Sequence, residues 1–444
     1  MKLSQSAKVF FLVLGDIVVL YASLALTLVI RYGAGFIQEF PLHALPFSII
    51  FAVWLAVFYL NGLYDLRHLR NNLEFSKVLG LALSVNALLT IAVFYLVPVF
   101  GIAPRRNLFI FLVLFAALEM FWRRSFNVRL SFREGLVNVL LLGETESARE
   151  IAGTLHHNPQ IGYEIKAWFR QGLSDPETRN LGSSVKRLGI NLIVVPRSMK
   201  LDPKFAKVFY ELLSSGIEII DIPTFYEAVF RKVPLGELED AWFLEHRVGG
   251  RKFYDDFKRS ISFVSALILF IFLSPLMLII ALLITLTSPG PAICTQIRAG
   301  KHNRPYAHFK FRTMKSCKEK EGPRWTSPGD ERITPIGKIL RHSHLDELPQ
   351  LINIIKDDLA FVGPRPERPE FVTMLIEKIP YYNIRFLIKP GVTGWAQIHH
   401  RSDQTTDDVI QKLQYELYYL KNRSFVLDLA IIIKTIKTLF VTPR

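Results

Sequence analysis

The chain has 444 residues, half of them hydrophobic, and a formal net charge of +15 from 54 Lys and Arg against 39 Asp and Glu. That length allows about two to four domains, and apolar residues gathered in blocks beside so many charges indicate a membrane protein with soluble parts. Two cysteines, Cys294 and Cys317, are too few for a disulfide framework or a zinc site. With no basic-aromatic RNA motif and no Cys/His finger, the positive charge points to an anionic membrane surface or a polyphosphate, not to nucleic acid.

Four apolar segments come first, over residues 9–30, 45–63, 78–100 and 107–122. They predict four transmembrane helices within residues 1–130, retained because no small-residue cleavage site follows the first. Asp16 lies inside the first and is tolerable there only if it faces other helices. Lys2 and Lys8, then Arg67, Arg70 and Lys77, then Arg123, Arg124, Arg129 and Arg133 fall on one side, against Arg105 and Arg106 on the other. The positive-inside rule makes the richer side cytoplasmic.

From residue 134 to 250 the texture becomes α/β. LVNVLLLG (136–143) reads as a buried strand, 144–157 as a helix, 165–169 and 190–195 as strands, 205–215 as a helix and 217–221 as a strand. A Rossmann-like module is expected. Its first turn, Gly143-Glu144-Thr145-Glu146, has one glycine and two acids, where a dinucleotide pyrophosphate needs several glycines and no anion. The module is therefore read as structural or regulatory, without a cofactor.

A fifth apolar run, 261–286, opens the last domain, 251–444. Ser274-Pro275 at its middle interrupts the backbone hydrogen-bond ladder, and both flanks are basic: Lys258 and Arg259 before, Arg298, Lys301 and Arg304 after. Both ends thus belong in the cytoplasm, and the segment is predicted to enter the bilayer, turn at Ser274-Pro275 and leave by the same face. The alternative is a proline-kinked span, which would put the basic C-terminal domain outside. Beyond it, Phe309-Lys310-Phe311-Arg312 alternates aromatics with cations, the pattern of a strand with one buried face and one anion-holding face, and equally of an ordinary amphipathic strand. The glycine-rich turn 389–395 is expected to place Trp395 at a membrane or ligand surface. Residues 425–440 read as an interfacial or core helix, being short for a span and carrying Asp428, Lys434 and Lys437.

Between these features lies LRHSHLDELPQLINIIKDDLAFVGPR (340–365), with adjacent carboxylates Asp346 and Glu347 between a basic run (Lys338, Arg341, His342, His344) and the proline-framed Pro364-Arg365-Pro366. Acids held among cations suit chemistry on phosphate, where an anion is bound and a nucleophile or metal ligand is supplied. Taken alone, an Asp-Glu pair is common. The surroundings give it weight.

Residues 258–440 resemble the bacterial sugar transferase family, the monotopic polyprenyl-phosphate phosphoglycosyl transferases. The matching motifs are Lys258-Arg259, Ser274-Pro275, SPGP (288–291), QIRAG (296–300), KFRTM (310–314), DERITPIGKILR (330–341), LDELPQLIN (345–353), VGPRPE (362–367) and KPGVTGWAQ (389–397), in the family's order and spacing. One departure is Ser262, where the family usually has an aspartate. Four spans followed by an α/β module resemble the large members that initiate exopolysaccharide or O-antigen repeat units. The resemblance implies transfer of a sugar-1-phosphate from a UDP-sugar to undecaprenyl phosphate, releasing UMP, at the cytoplasmic face of the bacterial inner membrane. It implies Asp346 as nucleophile and Glu347 as ligand of Mg2+. Lys310, Arg312, Arg341 and Arg365, with Pro364 and Pro366 framing the last, would hold the phosphates or the uridine end. Ser274 and Pro275 would form the breakpoint of the re-entrant helix, with Lys258 and Arg259 at the headgroups. A homodimer through the extra spans or the α/β module would fit the architecture.

The division of labour is physically sensible, since consecutive helical residues point about 100° apart and cannot grip one atom symmetrically. A carboxylate beside a divalent cation and several basic groups stays ionised, as a nucleophile must. A sugar-only transferase releasing UDP would want an Asp-x-Asp metal motif, but Asp255-Asp256 and Asp357-Asp358 are adjacent pairs. A tethered epimerase would want the glycine fingerprint, and a non-catalytic scaffold would have no need of the dyad.

Overall fold

The computed structural model describes residues 5–64, 73–96, 105–131, 136–170, 175–245, 250–316, 332–400 and 405–441. Lys2, Arg67, Arg70, Arg133, Cys317, the end of the third apolar segment (97–100) and the first residues of the DERITPIGKILR motif (330–331) lie outside them. The chain forms two compact units, Met1–Phe225 and Tyr226–Arg444.

In the first unit, helices α1 (Gln5–Tyr32), α2 (Phe36–Leu60), α3 (Leu73–Leu96) and α4 (Arg105–Ser131) follow the four apolar segments. α1 lies against both α2 and α4, and α3 against α2. Their core is aromatic, with Phe47, Phe51, Trp54, Phe58, Phe111 and Phe115 buried together. Asp16 is fully buried there and accepts from Tyr64 Oη at 2.7 Å and Trp122 Nε1 at 3.0 Å while paired with Arg123. Arg123 also reaches Glu119 at 2.8 Å. Asp16 is thus a packing partner that ties α1 to α4, which is what makes a carboxylate affordable among apolar helices.

The α/β part follows: β1 (Val137–Leu142), α5 (Glu146–His157), β2 (Tyr163–Phe169), α6 (Asp175–Leu188), β3 (Leu192–Val195), α7 (Arg197–Leu201), α8 (Pro203–Ser214) and β4 (Glu218–Asp221). The four strands pair in the order β2-β1-β3-β4, all parallel, in the arrangement a Rossmann-like reading predicts. At the turn after β1, Gly143 has φ +82°, and a Cβ there would lie 2.6 Å from the Pro196 ring. Trp168 Nε1 donates to the Gly143 carbonyl at 2.8 Å, and Thr145 caps α5 through Ala148 N at 3.2 Å.

Helix α9 (Ile222–Phe230) runs across the boundary between the units, and the second unit continues with α10 (Asp240–Glu245), α11 (Lys252–Thr287), the antiparallel hairpin β5 (Ile293–Ala299) and β6 (Pro305–Phe311), α12 (Pro335–His342), α13 (Gln350–Ile355), β7 (Ala360–Val362), α14 (Pro369–Lys378), β8 (Gly391–Thr393), α15 (Trp395–His399), α16 (Thr406–Asn422) and α17 (Phe425–Val441). Val233, Leu238 and Trp242, which the sequence reading groups with the α/β module, are buried in one core with Val372, Leu375, Leu413, Leu417 and Ile431.

Among the described residues, two helical stretches are long and apolar enough to cross a membrane, Ala7–Leu60 and Lys252–Thr287, and Phe75–Ile91 is a shorter apolar helix. α11 stays helical through Ser274-Pro275. Proline lacks the N–H that would bond the carbonyl of Ile271, four residues back, and Ser274 Oγ donates to that carbonyl at 2.8 Å. The predicted interruption of the ladder is therefore repaired locally by its neighbour. The first half of α11 packs Ala266, Phe270 and Leu273 against Tyr306, Leu351 and Ile354. Its second half packs Met277, Ile280 and Ile284 against Phe311 and Leu340. The opposite face exposes Ile268, Ile271, Phe272, Leu278 and Leu282.

Candidate active site

The sequence builds the site on the edge of the β5–β6 hairpin. Asn353, fully buried on α13, accepts from Phe309 N at 3.0 Å and donates to the Ala307 carbonyl at 2.6 Å. One amide thus fixes β6 against the helix that follows the Asp-Glu pair. α12 begins at Thr334, whose hydroxyl accepts from Gly337 N at 2.9 Å, with Pro335 in the first turn. It ends where His344 turns left-handed at φ +56°, and Leu345–Glu347 form a single 3-10 turn. With three residues per turn, Asp346 and Glu347 diverge by about 120°.

Asp346 is buried, and Glu347 pairs with Lys310 Nζ at 3.0 Å. Burial pulls the Lys310 ammonium below its usual range; Glu347 opposes that, and the neighbouring Arg365 adds to it, with Asp346 also in reach. Lys310 therefore contacts Glu347, with Arg365 and Asp346 within its electrostatic reach. His308, buried on β6 with its ring at Tyr306 Oη (3.1 Å), is pushed down to about 3 by burial and by the Lys310 and Arg298 cations. It stays neutral through the physiological range.

Arg365 sits where two backbones meet. β7 and β8 pair in parallel, Ala360 with Gly391 and Val362 with Thr393, and Gly391 N donates to the Pro364 carbonyl at 2.8 Å. A Cβ on Gly391 would lie 2.1 Å from Gly363 N, and one on Gly363 would lie 2.5 Å from the Lys389 carbonyl. Glycine at both positions is the condition for this approach. Pro364 and Pro366 are buried, and Arg365 is half-buried between them. Arg341 is held by Nε to Thr313 Oγ1 at 2.9 Å.

The expectation for Trp395 is corrected, and Arg312 is found engaged with the end of α11. Arg312 is 3% exposed and donates to the carbonyls of Ser288 (2.6 Å), Pro289 (2.8 Å) and Ile284 (3.4 Å) and to Ser288 Oγ (2.8 Å). Its task is to cap the C-terminal end of α11, where a cation also meets the negative end of the helix dipole. Arg312→Met is expected to cost about 1–3 kcal/mol of stability through the orphaned carbonyls. Transfer per folded molecule should stay within about threefold of wild type. Melting curves beside steady-state rates decide this, and an unchanged Tm with a large loss in kcat/KM would restore the phosphate-binding role. Trp395 is 2% exposed, its Nε1 donating to the Arg231 carbonyl at 3.0 Å and its ring against His399 and Tyr418 under Lys434. The glycine-rich turn delivers it to the core, not to a surface.

At the base of α11, Lys258 donates to the Val362 carbonyl at 2.8 Å and to Tyr419 Oη at 2.6 Å, and pairs with Asp428 at 3.0 Å. Its charge is committed internally. Arg259, with a side chain 63% exposed, pairs with Asp357 at 3.0 Å and keeps an outward face. Ser262 is buried, and His342 is exposed.

Residues the sequence reading passed over are Asn353, His308, Arg385, Glu416 and Lys412. Asn353 lies inside a quoted motif, so its signal was present without a role. Glu367 forms a short bond with Lys412 at 2.6 Å. Burial would raise its carboxyl, but Lys412 and Arg385 prevail and hold it at about 2. A depressed carboxyl contributes stability that is full above its ordinary value of 4.5 and is lost as pH falls towards about 2. Glu416 shifts the other way because burial outweighs Arg385, so acid relieves its charge and does not add to the loss. Between about pH 5 and pH 3, Tm should therefore fall further for wild type than for Glu367→Gln, and parallel curves would contradict this assignment.

Among the described residues no three His, Cys, Asp or Glu side chains form a ready-made metal cage. Glu347 nevertheless offers a carboxylate of the kind Mg2+ takes, since that ion binds through one or two carboxylates and completes its shell with substrate phosphate and water.

The bacterial sugar transferase family model matches residues 253–442. The chain is 37% identical over 191 residues to a UDP-glucose:undecaprenyl-phosphate glucose-1-phosphate transferase of Caulobacter vibrioides, covering 42% of this chain and 71% of that one. It is 38% identical over 233 residues to a UDP-N-acetylgalactosamine-undecaprenyl-phosphate N-acetylgalactosaminephosphotransferase of Aeromonas hydrophila, covering 52% of this chain and 55% of the relative. A UDP-glucose:undecaprenyl-phosphate glucose-1-phosphate transferase of Klebsiella pneumoniae is 27% identical over 433 residues, 91% of each chain. With the site and these likenesses in agreement, the chain belongs to the bacterial sugar transferase family, a family of transferases.

Proposed function

We propose that the protein transfers a sugar-1-phosphate from a UDP-sugar to undecaprenyl phosphate and releases UMP, as the first membrane step in building an exopolysaccharide, capsule or O-antigen unit. The observation that carries this is the convergence of a buried Asp346 with Glu347, Lys310 and Arg365. In the first half-reaction a carboxylate oxygen of Asp346 attacks the phosphorus next to the sugar. The bond from that phosphorus to the bridging oxygen breaks, and UMP departs with the electron pair. In the second, a phosphate oxygen of the lipid attacks the same phosphorus, the acyl-phosphate bond breaks, and the carboxylate is restored. Lys310 and Arg365 neutralise charge on the phosphoryl oxygens and the leaving group. Mg2+, held by Glu347 with the diphosphate, would add further neutralisation.

The lipid substrate explains the membrane architecture of the proposal. The four N-terminal helices are taken as transmembrane, with the site on the cytoplasmic face, and α11 as re-entrant. Two observations support re-entry. The base of α11 is tied to β7 through Lys258 and its far end to the end of β6 through Arg312, so one small domain holds both. A span would separate those ends by about 30 Å of hydrocarbon. Arg259, facing outward, is placed at the headgroups. The acceptor then reaches Asp346 without its prenyl chain leaving the bilayer. The test is purified protein with undecaprenyl phosphate, Mg2+ and a panel of UDP-sugars, resolving UMP from UDP. UMP with one sugar supports the reading and names the donor; UDP would move the protein to the sugar-only transferases.

A further inference from the structure

We infer that Arg385, with Glu416, Glu367 and Lys412, is a positioning device that aims Arg365 at the reacting diphosphate, an inference that rests on the role proposed for Arg365. Arg385 lies on the 3-10 segment Tyr382–Leu387, is 2% exposed, and is gripped at both ends of its fork by Glu416, Nε to Oε2 and NH2 to Oε1, each at 2.8 Å. Its NH1 donates to Tyr382 Oη at 2.6 Å. The same NH2 donates to the backbone carbonyl of Arg365 at 2.8 Å. The next two carbonyls are taken as well: that of Pro366 by Arg298 NH1 at 3.2 Å and that of Glu367 by Ala299 N at 2.8 Å. The Glu367 side chain is anchored by Lys412 on α16 at 2.6 Å.

Three consecutive carbonyls and one side chain of residues 365–367 are thus held from β5, α16 and the Tyr382–Leu387 segment. Two prolines flank Arg365 and remove backbone donors that could compete. Such density of fixed partners exceeds what a surface loop needs to stay folded. It suits a guanidinium that must meet phosphate oxygens at a set place, where small displacements lower the rate without abolishing binding. Arg385 and Glu416 touch no reacting atom in this arrangement; they act through Arg365.

The test is a double-mutant cycle on the full-length protein in nanodiscs, with UMP release as the readout. Glu416→Gln keeps the shape and weakens the grip on Arg385. In the wild-type background it should lower kcat/KM by about tenfold to a hundredfold. In an Arg365→Ala background the same change should cost less than about twofold, because the aimed group is already gone. Equal losses in the two backgrounds would make the cluster merely structural and overturn the inference, as would no loss in the first. Should Glu416→Gln fail to accumulate folded, Arg385→Lys serves, since one ammonium keeps the charge pair and cannot also hold the Arg365 carbonyl. It is expected to show the same non-additivity. UMP release by the wild-type protein, read in the same plates, reports separately on the proposed reaction.

Discussion

Asp346→Asn is expected to abolish transfer, with a loss of about 10⁴-fold or more in kcat. The change is isosteric, so the 3-10 turn over Leu345–Glu347 keeps its shape around the buried residue 346 and only the carboxylate charge is lost. An amide in reach of Lys310 and Arg365 leaves those cations to attract anions, so UDP-sugar binding should survive while UMP release stops. Calorimetry or tryptophan fluorescence would report binding, and nucleotide chromatography would report turnover. Retained binding with lost turnover separates chemistry from folding. Activity within tenfold of wild type would remove Asp346 from the mechanism.

The second large effect is expected at Lys310. Its ammonium is the partner of Glu347 at 3.0 Å and the cation next to Asp346 on the hairpin edge. Lys310→Met keeps the aliphatic stem but leaves a partly buried carboxylate without its cation and the phosphoryl oxygens without a donor. Removing one such preorganised group typically costs about 10²–10³-fold in kcat, and that is the loss expected here. Lys310→Arg should recover part of it, because the charge returns with a different reach. A Lys310→Met enzyme with unaltered kcat and KM would show that the Lys310–Glu347 pair is only scaffolding.

Much of this was legible in the sequence. Strand runs and helical periods placed β1 to β4 and α5, because a parallel sheet with buried strands leaves near-continuous apolar runs. The adjacent carboxylates Asp346 and Glu347 were legible because they lie in one short stretch, whereas the cation found against Glu347, Lys310, comes from β6 and not from the neighbouring basic run. What the sequence concealed is pairing over long separations. Lys258 reads as a headgroup anchor until Asp428, near the other end of the domain, is found against it at 3.0 Å. Arg312 reads as the twin of Lys310 two positions on, but β6 ends at Phe311, and beyond the strand the alternation of faces no longer holds. Proline at position 275 reads as a break because a missing N–H is visible in sequence, whereas the rescue by Ser274 Oγ is visible only in space. Trp395 follows a turn, and a turn does not specify which side of the domain its next residue enters.

The covalent intermediate is the central claim, and it is measured most directly by withholding the lipid. Purified protein, incubated with Mg2+ and the UDP-sugar identified from the panel but no undecaprenyl phosphate, should release UMP in an amount equal to the enzyme. Mass spectrometry of the quenched, digested protein should find one sugar phosphate on the peptide containing Asp346, and none in Asp346→Asn. Addition of the lipid should remove the adduct. An enzyme that carries no adduct and releases UMP only when both substrates are present would instead transfer directly between them, and Asp346 would then have no covalent part in the reaction.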